Sequence, residues 1–233
     1  MTRPLVLAAL WHDTVADTRA LLPLVWPVAA AFVLLPNVAL ERYGPPLPKT
    51  PAEMTPQLVL TTLVIPGLIA LVAQATVIRL ALDRRRGVAR SVGEALAAAL
   101  RAWPLLVLVQ FVSALAVTPG LLLLIVPGVY TIGRLLPALP LALDGGGPVA
   151  AVERAWALTA DNGWRATGFL LTLIGWFFVV SAAAGLIGAG VVALAGGSGL
   201  GALLASALDG AVAALIAIVG AVATATVARQ LED

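Results

Sequence analysis

WPLLVLVQFVSALAVTPGLLLLIVPGVYTIGRLLPALPLAL, residues 103–143, carries one charged side chain, Arg134, and no polar run long enough to be a loop. A helix crosses the hydrocarbon layer of a bilayer with about 20 apolar residues, so this stretch is too long for one crossing and reads as two. The predicted break is Thr118-Pro119-Gly120, where proline removes a backbone donor and glycine tolerates a reversal. The same length rule, carried outward, gives six spans, at about 20–40, 56–82, 103–118, 119–143, 165–195 and 201–228. Gly196-Gly197-Ser198-Gly199 separates the last two as a turn and lacks the lysine of a phosphate loop.

The composition agrees with a chain built for lipid. Of 233 residues, 61% are hydrophobic and 11% charged, and the mean hydropathy is +1.03. The expected fold class is therefore all-α, a polytopic membrane protein with a single transmembrane domain over residues 1–233. There is no cysteine, which excludes a disulfide scaffold, a thiolate metal site and a cysteine nucleophile. A net charge of +2 is too small for a nucleic-acid surface, and no nucleic-acid partner is expected. Eleven of the fourteen Lys and Arg residues lie near the N-terminus, around the connections from span two to three and four to five, or near the C-terminus. The positive-inside rule then puts both termini in the cytoplasm of a bacterial inner membrane, with Arg42 and Lys49 outside. The apolar run Pro4–Trp11 is too short for a signal peptide and is followed by His12 and Asp13.

Sliding the chain on itself reveals a repeat. At a shift of 61 residues, LALD at 80–83 falls on LALD at 141–144, Pro66-Gly67 on Pro127-Gly128, and Trp103 on Trp164. At a shift of 150, ATVIRLALD at 75–83 falls on ATVARQLED at 225–233. The predicted units, about 1–86, 87–147 and 148–233, each pair a helical hairpin with an amphipathic interfacial helix in a pseudo-threefold arrangement. Those interfacial helices are expected at about Pro4–Thr18, Val88–Ala102 and Pro148–Ala160, the last stopped by Asp161-Asn162-Gly163.

The stretch VPGVYTIGRLLPALPLALDGGGPVAAVERAWALTADNGWRATGFLL, residues 126–171, resembles the bacterial six-helix membrane family related to the membrane domain of glycerophosphoryl diester phosphodiesterases. The features that carry the resemblance are Pro127-Gly128, Arg134 inside a span, Asp144-Gly145, the Ala-rich helix around Trp156, and Asn162-Gly163-Trp164. It implies a membrane module without the catalytic barrel, because six spans consume the chain, and it supplies no reaction. Ala155 stands where that family favours serine.

Two groups of residues stand out as candidate sites. Arg134 lies about 15 Å of helix from the end of span four, and equal depth through the repeat puts Gln74, Gln110 and Thr172 beside it as an intramembrane polar layer. Hydrogen bonding to those amides, and to carbonyls freed by Pro137 and Pro140, is the structural alternative to a ligand contact. Arg84, Arg85, Arg86 and Arg90 form the densest basic cluster, suited to anionic lipid headgroups or simply to fixing topology. Asp209 is expected near the outer end, too far from Arg134 to pair with it, and Asp13 and Asp17 read as ordinary solvated carboxylates. Ala213, Ala217, Ala221 and Ala225, and Ala184 with Gly188, mark close helix contacts. The one histidine, His12, is remote from Ser113 and Ser181, so no catalytic residues, metal or cofactor are expected, and the chain is not read as an enzyme.

Membrane lipids are the expected partners. The leading expectation is a non-catalytic role in membrane or lipid organisation that engages anionic headgroups. A transporter or channel for a small anionic or amphipathic solute is the first alternative, and an oligomeric scaffold, a homo-oligomer of this chain, the second. An open cavity at the polar layer would count against the first and for transport.

Overall fold

The computed structural model describes residues 4–46, 48, 50, 53–195 and 199–232. Among these the chain forms seven helices: α1 Leu7–Tyr43, α2 Pro56–Arg85, α3 Val92–Leu123, α4 Ile125–Leu143, α5 Pro148–Leu158, α6 Gly163–Ala195 and α7 Leu200–Glu232. All but α5 are long and apolar enough to cross a membrane. Of the predicted turn between the last two spans only Gly199 is described, at φ +67°, and Lys49 also lies outside the described residues.

Proline placement shapes α1 and α2 in the same way. Each contains one wide turn, Ala30–Leu34 in α1 and Leu60–Val64 in α2, that ends two residues before a proline, Pro36 or Pro66. A proline ring collides with the carbonyl four residues back, and letting the preceding donor reach back five residues relieves the crowding. Leu35 N–H accordingly donates to the carbonyl of Ala30, and Ile65 N–H to that of Leu60. The wide turn of α1 rests on Gly210 of α7, where an added Cβ would lie 3.0 Å from the Leu34 carbonyl oxygen.

Helix α7 packs against α1, α2 and α6 and is the centre of the bundle. Ile218, Ala221, Val222 and Ala225 of α7 join Val25, Ala73, Val77 and Ile78 in the main core, to which α3, the end of α4 and α5 also contribute. A second cluster, built around Leu10, Phe169, Val219 and Val227, seals α6 to the other side of α7. Small residues at these contacts let backbones approach where lipid offers no hydrophobic gain for helix association. The predicted Ala184–Gly188 contact is one of them, with Ala184 buried and Gly188 directly facing Ala205.

Three expectations are corrected. The hairpin break is at Leu124, which is extended (φ −159°, ψ 143°), while Pro119 and Gly120 remain inside α3. Gly120 instead faces Gly128 of α4 so closely that an added Cβ would lie 2.9 Å from the Gly128 nitrogen, so this glycine serves the contact between the arms. Next, the amphipathic segment at Val88–Ala102 is no separate helix. Ser91 caps Val92 with a reciprocal Ser91–Glu94 capping box, and α3 then runs unbroken for 32 residues. The N-terminal segment is likewise continuous with α1, so among the expected interfacial helices only α5 stands alone. Finally, span four is not one regular helix: a turn at Leu136-Pro137 interrupts α4 between Ile125–Leu135 and Ala138–Leu143.

Candidate functional site

Most of the arginines gather at one end of the bundle, and most of these already have partners. Arg85 clasps Asp17 of α1 through Nε and Nη2 at 3.0 and 2.6 Å. Arg229 of α7 bonds Asp13 and lies 3.5 Å from Asp17, so the carboxylates of α1 bridge the ends of α2 and α7. Arg86 makes a two-pronged bond to Asp144, at 2.7 and 2.6 Å. Hydrogen bonding to Asp144 raises the Arg86 pKa above its ordinary value, against a smaller opposing effect of burial, and keeps it charged. Arg79 donates to the Leu143 carbonyl at 2.9 Å, beside Asp83 and Asp144. Arg90 pairs with Asp83, and Arg154 of α5 with Glu232.

Of the four arginines singled out for headgroups, then, Arg85, Arg86 and Arg90 brace the helix ends, whereas Arg84 is exposed with no ion pair among the described residues. Asp17 is not the ordinary solvated carboxylate expected from its position, being only 9% exposed between two arginines. The partners were hidden from sequence reasoning because they lie up to 216 residues apart in the chain.

Arg134 does not join the glutamines. Its guanidinium lies 3.7 Å from the ring centre of Trp156 and 5.8 Å from that of Tyr130. Nε donates to the Thr159 hydroxyl at 3.2 Å and Nη2 to the Trp156 carbonyl. The cation thus closes the C-terminal end of α5, where the helix dipole is negative, instead of bonding carbonyls freed by Pro137 or Pro140. Equal-depth counting failed because a turn interrupts α4 just after Arg134, and α4 crosses the first turns of α6: Gly133 abuts Thr167, and Tyr130 covers Gly163 and packs on Trp164. Asn162, noted in the sequence as part of a stop signal and of the family resemblance, accepts the Leu5 N–H at 2.9 Å and ties the N-terminal segment to the start of α6.

The flank of the bundle holds a groove of about 570 Å³ between α2, α3, α4 and α7. Gln74, Gln110, Ser113 and Thr224 set polar groups into an otherwise apolar wall of Leu135, Leu139 and their neighbours. The structure therefore brings two of the four expected layer residues together, Gln74 and Gln110, and adds Ser113 and Thr224. Thr172 is elsewhere, exposed on α6 with its hydroxyl donating to the Gly168 carbonyl at 3.0 Å. The Thr224 hydroxyl is satisfied by the Ala221 carbonyl at 2.9 Å, but Gln74, Gln110 and Ser113 have no side-chain hydrogen bond among the described residues. No charged side chain lines this groove. Ser113 and Thr224 could have been found by helical spacing, since Ser113 lies three residues after Gln110 and Thr224 matches Gln74 at a shift of 150.

At the opposite end, Asp209 is exposed and lines a cavity of about 550 Å³ with Asn37, Glu41 and Thr62. Among the described residues no group of His, Asp and Glu is placed to hold a metal ion. Comparison with protein families, with curated proteins and with solved structures found no match, so the geometry of these sites stands as the guide to what the chain does.

Proposed function

We propose that the protein is a non-catalytic, multi-pass membrane protein that organises lipid by holding lipid molecules in the groove on its flank. The single observation that carries this reading is the pairing of Gln74, Gln110 and Ser113, which have no side-chain hydrogen bond among the described residues, with an apolar wall on the flank of spanning helices. Within hydrocarbon an amide without a partner is costly, and an amphipathic guest satisfies it while covering the apolar wall. The arginine-rich end then lies on the cytoplasmic side of a bacterial inner membrane, with Arg84 turned toward anionic headgroups. The resemblance of residues 126–171 to a family of membrane modules belongs to the same reading, as does the expected threefold repeat.

A transporter for a small solute is the second reading: a groove reaching Gln74 and Gln110 is the outcome expected of transport, but Arg134 and Thr172, the other half of the expected layer, do not line it. An anionic solute fits poorly, because the groove offers no arginine and Arg134 is occupied by Trp156 and Thr159.

Native mass spectrometry in mild detergent tests the proposal. Wild type is expected to retain a stoichiometric phospholipid that Ala114→Trp, which fills the groove from α3, releases. Equal lipid retention by both proteins would overturn the reading.

A further inference from the structure

We infer that the groove recognises the ester carbonyls of a diacyl phospholipid rather than its headgroup, an inference that rests on the lipid-holding role proposed above. Two observations set the register. Gln74 is five residues before Arg79 on α2, and Thr224 is five residues before Arg229 on α7. At 1.5 Å per residue the polar floor of the groove therefore lies about 7–8 Å inside the ion-paired layer on both helices. A phospholipid whose phosphate sits level with that layer hangs its glycerol esters a few bonds deeper, opposite the glutamines, and its acyl chains along Val117, Leu135 and Leu139.

The chemistry of the lining points the same way. The unsatisfied groups of Gln74, Gln110 and Ser113 include two amide NH2 groups and a hydroxyl, all able to donate. An ester carbonyl only accepts, so two esters answer these donors, and the glutamine carbonyls, which need donors of their own, are left to water at the level of the esters. The phosphate is not called into the groove, because no cation lines it and Arg79 and Arg229 are already held by Asp83, Asp144, Asp13 and Asp17. Recognition is thus indifferent to headgroup identity and sensitive to the linkage between glycerol and chain.

The test compares diester and diether phosphatidylglycerol of the same chain length, titrated into delipidated protein and read by native mass spectrometry. Ether oxygens accept hydrogen bonds more weakly than ester carbonyls. Wild type is expected to bind the diester about threefold to tenfold more tightly, the size of one or two net hydrogen bonds. Gln74→Leu/Gln110→Leu, which keeps the groove and removes its donors, is expected to bind both lipids at the level of the wild-type diether complex. Equal binding of the two lipids by wild type, with both lost in Ala114→Trp, would overturn the ester inference while leaving the lipid site in place. If Ala114→Trp changes neither lipid's binding, the lipid-holding role itself falls.

Discussion

The charged end of the bundle and the groove on its flank handle polar groups in opposite ways. At the charged end Asp17 is shared by Arg85 and Arg229, and Arg86 meets Asp144 with both prongs. In the groove two glutamines and a serine face an apolar wall with no such partners. Most ionised groups at the charged end are answered within the chain, because leaving them unanswered costs stability, although the hydroxyls of Thr14 and Thr18 and the Nε of Arg79 are buried there with no hydrogen-bond partner among the described residues. The groove differs in that its unanswered groups line an accessible surface, where a molecule from outside the chain can reach them. The basic cluster was read in the sequence as a headgroup site or a topology marker, and the structure pairs three of its four arginines with carboxylates.

That contrast can be broken or sharpened by substitution. The largest effect is expected from Gly133→Val, since a Cβ there would lie 2.7 Å from the Thr167 Cα at the crossing of α4 and α6. Overpacking this crossing should cost about 3 kcal/mol and disturb both regions, read as a lowered Tm in detergent with loss of bound lipid. Unchanged Tm would mean the crossing is not tightly held.

Asp17→Ala should come next, at about 1–3 kcal/mol, because it leaves Arg85 and Arg229 without a shared counterion and the site is partly screened. Its thermal melt should become less sensitive to salt than wild type, whereas lipid retention by the groove should persist. A loss of lipid equal to the loss of stability would erase the distinction between the two regions. Thr159→Val removes a fully buried hydroxyl that joins Arg134 to the end of α5, and should cost about 1–2 kcal/mol by chemical or thermal unfolding. The smallest change in stability, under about 0.5 kcal/mol, is expected for Arg84→Ala, the exposed arginine. Its effect should appear instead as about fivefold weaker binding to anionic vesicles at low salt, from a headgroup attraction of about 1 kcal/mol per arginine. Unaltered vesicle binding would remove Arg84 from the account.

How much of this was legible in the sequence depended on range. The six spans followed from apolar length alone, and the wide turns before Pro36 and Pro66 follow from local sterics. Pro119-Gly120 misled because a glycine that permits a turn and a glycine that permits close contact look identical in sequence, and only the neighbouring Gly128 distinguishes them. Arg134 was assigned its depth by counting along a straight helix, which the turn at Leu136-Pro137 invalidates. Gln74 and Gln110 were recognisable as unusual within their spans, but which of the other polar residues joined them depended on how α2, α3 and α7 rotate about their axes. Ion-pair partners such as Arg229 and Asp13, at opposite ends of the chain, carry no local signal.

The most direct test of the central claim is photocrosslinking in native membranes, with a photoreactive amino acid placed at Ala114 in the groove or at Leu186, an exposed apolar position on α6. If the groove holds lipid, the adduct at position 114 will survive extensive detergent exchange before illumination while that at position 186 disappears. Adducts lost in parallel at both positions would mean that the groove is ordinary lipid-facing surface.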